Sequence, residues 1–191
     1  MSTFRLSEMP EKPAFMEEEK PEAADIGIAT HRFLRLLDLS AFRNCGDYED
    51  AVRSQMAEMV GKRIISDDEA KQISIRNVAV FLRSDLGQRM VLAPEVKREW
   101  PFTMQISHDH PTLIQGIIDV AFPEEGGWIL LDYKTDRDTN QDSFVARHEM
   151  QMNWYRIAVE RLTNKPVREM WLVALRGRQV YQVRRVDPME A

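Results

Sequence analysis

An α/β (α+β) fold, with a mixed central β-sheet flanked by helices, is predicted by three features of this chain. Apolar spacing is helical between residues 25 and 84, turns to alternation after Pro94, and returns to a helical period between 144 and 162. Two apolar runs, Gly116-Ile117-Ile118-Asp119-Val120 and Leu130-Leu131-Asp132-Tyr133-Lys134-Thr135, read as buried strands that each end on a carboxylate. The Pro123-Glu124-Glu125-Gly126-Gly127 cluster between them suits a hairpin-like connection. With 191 residues and 43% hydrophobic side chains, the chain is long enough for one domain with a real core.

Taken in order, residues 1–24 hold Pro10, Pro13, Pro21 and the run Glu17-Glu18-Glu19-Lys20, and read as an arm or interdomain linker. The remaining residues, 25–191, read as the folded domain. Residues 25–39 predict a helix with Asp25 as a possible N-cap and Ala29, Phe33, Leu36 and Leu37 facing the core. His31 projects away from that stripe. Residues 47–60 and 67–84 predict two further helices. Ser66 or Asp67 caps the second, with Glu69 close to the capping-box position and Ile73, Ile75, Val78, Ala79, Phe81 and Leu82 on its apolar face. Residues 95–104 predict a strand in which Pro101 marks an edge or a bulge. Strands at 112–122 and 128–135 follow, then a polar loop from Asp136 to Ser143. A helix at 144–162 puts His148, Gln151, Tyr155, Ala158 and Leu162 on one face, and strands at 167–175 and 179–186 close the chain. There is no internal repeat.

Composition narrows the function classes. The net charge of −5 sits mainly in the arm: residues 1–25 carry seven acids against three bases, a net −4, so the remainder is near neutral. The basic residues after Arg137 are interspersed with acids and imply no strong nucleic-acid patch. No apolar run is long enough to span a bilayer and no secretory leader is evident, so a cytoplasmic protein is expected. A single cysteine, Cys45, cannot build a disulfide framework or a four-cysteine iron–sulfur site.

The chemistry lies in the two acid-ended runs. A hairpin sets Asp119 and Asp132 side by side, and strand alternation puts Lys134 on the face of Asp132. Two carboxylates and an ammonium converging there suit a divalent cation held against a phosphate. A nearby lysine orients or activates water and offsets developing charge. Glu99, one strand earlier, is a candidate outer or second-metal ligand. Read alone, Asp132 and Lys134 are equally a surface ion pair, and Gln151 and Tyr155 equally core-edge polar residues. An acid closing a buried apolar strand is the feature that argues for function, because burying it without purpose is costly.

The chain resembles the PD-(D/E)xK nuclease superfamily, and within it the nuclease domains of AddA-type and RecB-type helicase–nucleases. The resemblance rests on Gly27-Ile28-Ala29-Thr30-His31, Arg98-Glu99-Trp100-Pro101-Phe102, Gln115-Gly116-Ile117-Ile118-Asp119, Leu131-Asp132-Tyr133-Lys134-Thr135-Asp136 and Gln151-Met152-Asn153-Trp154-Tyr155-Arg156, in register. It implies a restriction-endonuclease-like sheet and a Mg²⁺- or Mn²⁺-dependent deoxyribonuclease, acting exonucleolytically on single-stranded DNA in double-strand-break processing and recombination. It implies that His31, Asp119, Asp132 and the Tyr133 carbonyl ligate the metal, and that Lys134 is the catalytic lysine. Gln151 and Tyr155 would orient DNA or the surroundings of Lys134. Glu99 matches an acidic position on the first core strand. Arg147 and Arg156 join Gln151 and Tyr155 as candidate DNA contacts. His148 stands where an aromatic is expected. Iron–sulfur relatives need four cysteines, and Cys45 is alone. The arm looks like the tether that joins a helicase motor to the nuclease. The rival readings are a catalytically silent DNA-binding or scaffolding module of the same fold, a stand-alone phage-type exonuclease or structure-specific endonuclease, and a purely structural interaction domain.

Overall fold

The computed structural model describes residues 21–106, 112–135 and 140–188. Five strands form one sheet in the order β1 (Lys97–Gln105), β2 (Leu113–Glu124), β3 (Gly127–Lys134), β4 (Val167–Ala174) and β5 (Gln179–Gln182). Neighbours are antiparallel except β3 and β4, which run parallel because the long helix α6 (Gln141–Thr163) crosses between them. That mixed sheet, covered by helices on both faces, is the expected architecture. Residues 1–20 and 136–139, which hold most of the anticipated arm and part of the anticipated polar loop, lie outside the described residues.

One face of the sheet carries α1 (Pro21–Leu36), α2 (Tyr48–Gly61), α3 (Asp67–Gln72), α4 (Ile75–Arg83) and α5 (Asp85–Leu92), with a 3₁₀ turn at Leu39–Phe42. Phe33, Leu37, Phe42, Leu82 and Met90 pack there against Val120, Phe122, Ile129, Leu131 and Val173. The other face packs Ile118, Ala121, Leu130 and Leu172 against Met152, Tyr155 and Val159 of α6.

Several boundaries differ from expectation for local reasons. Helix α1 already includes Pro21, so Asp25 lies inside it and not at its first turn's edge. Leu36 is 37% exposed, while Leu34 takes the buried position. The single helix expected over 67–84 is broken at Ser74, and a further helix, capped by Ser84, follows its end. Ser74 accepts from the Asn77 amide and Ser84 from the Gly87 amide, which makes three short helices, the last of them unforeseen. The Ser66–Glu69 capping box at the start of α3 is present as read. Helix α6 starts at Gln141, where the Asn140 side chain accepts from two amides, and ends on Asn164 in the left-handed conformation. Strand β5 stops at Gln182. Beyond it the chain is tied to α6, with Asn153 bonding Arg184 O and the Val186 amide, and Arg156 donating to Val186 O.

The hairpin end of the sheet is clasped from outside. Arg89 of α5 donates to Glu124 at 3.0 Å and to Glu169 at 2.9 Å, joining β2 to β4 across β3. These charge-assisted forks hold its guanidinium firmly protonated.

The α4–α5 elbow yields a prediction with a definite sign. Helix propensity alone says Gly87→Ala stabilises α5 by about 1 kcal/mol. A Cβ at Gly87 would meet Phe81 O at 2.1 Å and Leu82 Cα at 2.8 Å, both backbone. Overpacking of that kind costs about 1–3 kcal/mol, so Gly87→Ala should lower the urea midpoint. A raised midpoint contradicts this account of the elbow.

Candidate active site

The site forms where the sheet opens. Pairing of β1 with β2 keeps one register, with Arg98 opposite Val120 and Trp100 opposite Ile118, so Glu99 and Asp119 face each other. Both strands change faces at that level. Arg98 reaches α1 whereas Trp100 packs on Trp128, and Val120 joins the α1–α5 core whereas Ile118 joins the α6 core. Glu99 makes its part of this turn with φ +46°, a left-handed conformation costly for a non-glycine residue. Asp119 is therefore mid-strand in β2 and not at a strand end, as the sequence suggested.

Pairing of β2 with β3 runs from the hairpin only as far as Val120–Leu131. At the next level the Asp119 carboxylate replaces a backbone rung, accepting the Tyr133 amide at 2.8 Å. The strands part there, and the Tyr133 carbonyl turns to α1, where His31 Nε2 donates to it at 2.9 Å. The other imidazole nitrogen, Nδ1, lies 3.3 Å from Asp119 Oδ1. Burial pulls the His31 pKa down, but the hydrogen bond to Asp119 and the charges of Asp119 and Asp132 outweigh it and push it up to about 8. Arg98 fixes the height of α1 by donating to Leu34 O and Leu37 O at its C-terminal end.

Asp132 and Lys134 share the opposite face of β3, as alternation requires. Lys134 Nζ stands 2.6 Å from Asp132 Oδ2, yet that buried oxygen lacks an aligned hydrogen bond. Burial pushes the Asp132 carboxyl up, against the nearby ammonium, with Asp119 adding to the rise. Lys134 also donates to Gln151 Oε1 at 3.1 Å, and Gln151 Nε2 donates to Tyr155 Oη at 2.7 Å. Burial keeps the Tyr155 phenol protonated, reinforced by the charges of Asp132 and Asp119. Tyr155 packs edge-on to Phe102, and Gly116 makes room for both rings: a Cβ there would meet Phe102 at 2.7 Å and Tyr155 at 3.3 Å.

A cleft of about 490 Å³ runs over the site between α1 and the strand ends, lined by His31, Lys134, Thr135 and Glu99 and bordered by Arg32 and Arg35. The two arginines were not anticipated. Their only sequence signal is spacing on the helix that carries His31, one and four residues further on. Arg147 is exposed on α6 one turn before Gln151. Arg156, expected at the DNA surface, is 6% exposed and bonded to Asn153, Glu160 and Val186 O, so it anchors the C-terminal segment and is not available to a ligand. His148 packs edge-on to Phe144.

Among the described residues no three His, Cys, Asp or Glu side chains stand assembled as a ready-made metal cage. The donor types nevertheless fit a hard divalent cation. Asp119, the Tyr133 carbonyl and His31 meet at the open seam, and Asp132, its buried Oδ2 against the Lys134 ammonium, is near enough for its charge to raise the His31 pKa. His31 bridges Asp119 to the Tyr133 carbonyl through its two ring nitrogens.

Comparison with known proteins agrees with the architecture. The family profile described as the PD-(D/E)XK nuclease superfamily matches residues 3–191. An ATP-dependent helicase/nuclease subunit of Clostridium botulinum (strain Loch Maree / Type A3) is 33% identical over 175 residues, which is 84% of this chain and 13% of the relative. Its counterpart in Clostridium perfringens (strain 13 / Type A) is 32% identical over 182 residues, 84% of this chain and 14% of the relative. That of Clostridium novyi (strain NT) is 30% identical over 189 residues, 91% and 15%. The chain thus spans about one seventh of these relatives' length.

The raised His31 pKa has a stability consequence in chelator. A folded pKa near 8 against 6.5 unfolded means the imidazolium's contribution is complete below about pH 6.5 and disappears as pH rises through about 8. The shift sets an upper bound of about 2 kcal/mol. Chemical denaturation of metal-free wild type and His31→Gln from about pH 6 to pH 9 should show the stability gap closing with rising pH. A gap that stays flat over that range would sink the assignment.

Proposed function

The chain belongs to the PD-(D/E)XK nuclease superfamily, and from that premise we propose that it is a metal-dependent deoxyribonuclease, a hydrolase of DNA phosphodiesters. The observation that carries this reading is the held lysine: Lys134 sits between the Asp132 carboxylate and Gln151, beside a seam where Asp119, the Tyr133 carbonyl and His31 meet. A lysine tied only to a surface acid would need neither the buried carboxylate nor the amide behind it.

In this reading His31, Asp119, Asp132 and the Tyr133 carbonyl hold Mg²⁺ or Mn²⁺. The cation, when bound, supplies Lewis acidity to the water and charge neutralisation to the phosphate. Lys134 orients the attacking water and offsets charge gathering on the phosphoryl oxygens. Gln151 accepts from Lys134 and so sets its direction, while Tyr155, a neutral phenol locked against Phe102, fixes Gln151. In this reading Arg147, exposed a turn before Gln151, contacts the DNA backbone.

The relatives are helicase/nuclease subunits of which this chain spans a small fraction, and both facts support a finer reading. The domain works in the cytoplasm as the nuclease part of a helicase–nuclease, cutting single-stranded DNA exonucleolytically during break processing and recombination. Residues 1–24 are then the tether to the motor. No helix among the described residues is long and apolar enough to cross a membrane.

Lys134→Ala should lower Mg²⁺-dependent cleavage of a labelled single-stranded oligonucleotide by about 10²-fold or more, with the circular dichroism spectrum unchanged. Wild-type rates in that variant would refute the assignment. His31→Ala should weaken Mn²⁺ binding in calorimetry. An unaltered affinity removes His31 from the ligand set.

A further inference from the structure

The cleft holds an ion pair that the hydrolytic reading leaves without a task. Arg35 donates to Glu99 Oε2 at 2.7 Å across the mouth of the cleft, with the arginine side chain 46% and the glutamate 30% exposed. Half-exposed pairs of this kind contribute little stability, so the bond is readily exchanged. The backbone at Glu99 is held at φ +46° where β1 changes faces, level with Asp119, and this presents the carboxylate at the cleft mouth. Arg32, the other arginine at the cleft, is differently bound. Its partner Glu69 is anchored through its other carboxylate oxygen by the Ser66 amide and hydroxyl in a capping box, so that acid cannot swing aside as Glu99 can. Among the described residues Glu99 is paired with Arg35 alone.

We propose that Arg35 is the seat for a backbone phosphate of the DNA strand lying in the cleft, and that Glu99 is a removable placeholder that occupies the guanidinium until that phosphate arrives. This deepens the nuclease reading above and rests on it. A planar fork suits a phosphate as well as a carboxylate, so one anion can take the other's place on the guanidinium. Arg35 lies one helical turn beyond His31 on the same face of α1, so a phosphate bound there is adjacent to the scissile one and sets the register of the strand over the site. Glu99 meanwhile repels a phosphate that enters without displacing it, which makes the seat selective for a strand threaded along the cleft.

The test is equilibrium binding of a fluorescent single-stranded oligonucleotide in chelator at several salt concentrations, where cleavage cannot intrude. Arg35→Gln should weaken binding several-fold and reduce the salt slope by about 0.7, the loss of one phosphate contact, and Arg35→Lys should restore most of the slope. Glu99→Gln should act in the opposite direction and tighten binding, because the guanidinium is then released. An unchanged slope in Arg35→Gln, or weaker binding in Glu99→Gln, overturns the proposal. A parallel Mg²⁺ assay separates the two levels: wild-type protein that cuts DNA while Arg35→Gln keeps its slope defeats this inference alone. Wild-type protein that cuts no DNA defeats the nuclease reading and the inference with it.

Discussion

The bond on which the site depends is the one from the Tyr133 amide to the Asp119 carboxylate. A backbone carbonyl in that place would have continued the β2–β3 ladder and sealed the sheet. A side chain reaches further than a carbonyl, so the strands separate by one carboxylate's width and the amide is still satisfied. The same bond leaves the Tyr133 carbonyl free to face α1, and it fixes one Asp119 oxygen while the other meets His31. Opening the seam thus exposes polar atoms without leaving a backbone group unpaired. The switch of faces in β1 and β2 at Glu99 and Asp119 makes this geometry possible, since it lays the acid toward its neighbour strand and not up or down from the sheet.

Two independent supports converge on that seam from opposite sides. On one, α1 is held by its buried Ala29, Phe33 and Leu37 and by the Arg98 bonds to its last carbonyls, so His31 arrives at a set height. On the other, α6 brings Gln151 and Tyr155 under Lys134, with Gly116 giving the ring its place. The lysine belongs to the second support and the histidine to the first, and β3 carries a contact to each. Residues so placed are preorganised by packing, which is the condition under which a charged side chain can act without reorganising its surroundings.

The parts of this arrangement visible in the sequence were those governed by short-range periodicity. Alternation put Asp132 and Lys134 on one face, and helical spacing put Gln151 beneath Tyr155, because both relations span only a few residues. The mixed sheet followed from the order of the patterns, with the α6 crossover forcing β3 and β4 parallel. What was hidden depends on distant partners. His31 and Tyr133 are 102 residues apart, and only resemblance to a family, not pattern, linked them. The Arg35–Glu99 pair and the burial of Arg156 leave no local trace, since an arginine on a helix reads the same whether it faces solvent or a carbonyl. Ser74 shows the reverse failure: a capping residue is present, but the apolar stripe from Ile73 to Leu82 suggests one continuous helix past it. Asp119 was placed at a strand end because a lone acid after Ile117-Ile118 looks like a terminus, whereas the strand changes faces there and continues.

The Arg89 clasp lies at the far end of the same strands, where Glu124 and Glu169 meet β3's hairpin. It gives the sheet a rigid jaw opposite its open one, in the manner of a clothes-peg. The clasp ties β2 to β4 at the hairpin end, while at the seam end β2 and β3 are joined through the Asp119 side chain. Sequence drift at the clasp should therefore register as altered stiffness, whereas drift at the seam alters chemistry, and the two can diverge separately during evolution.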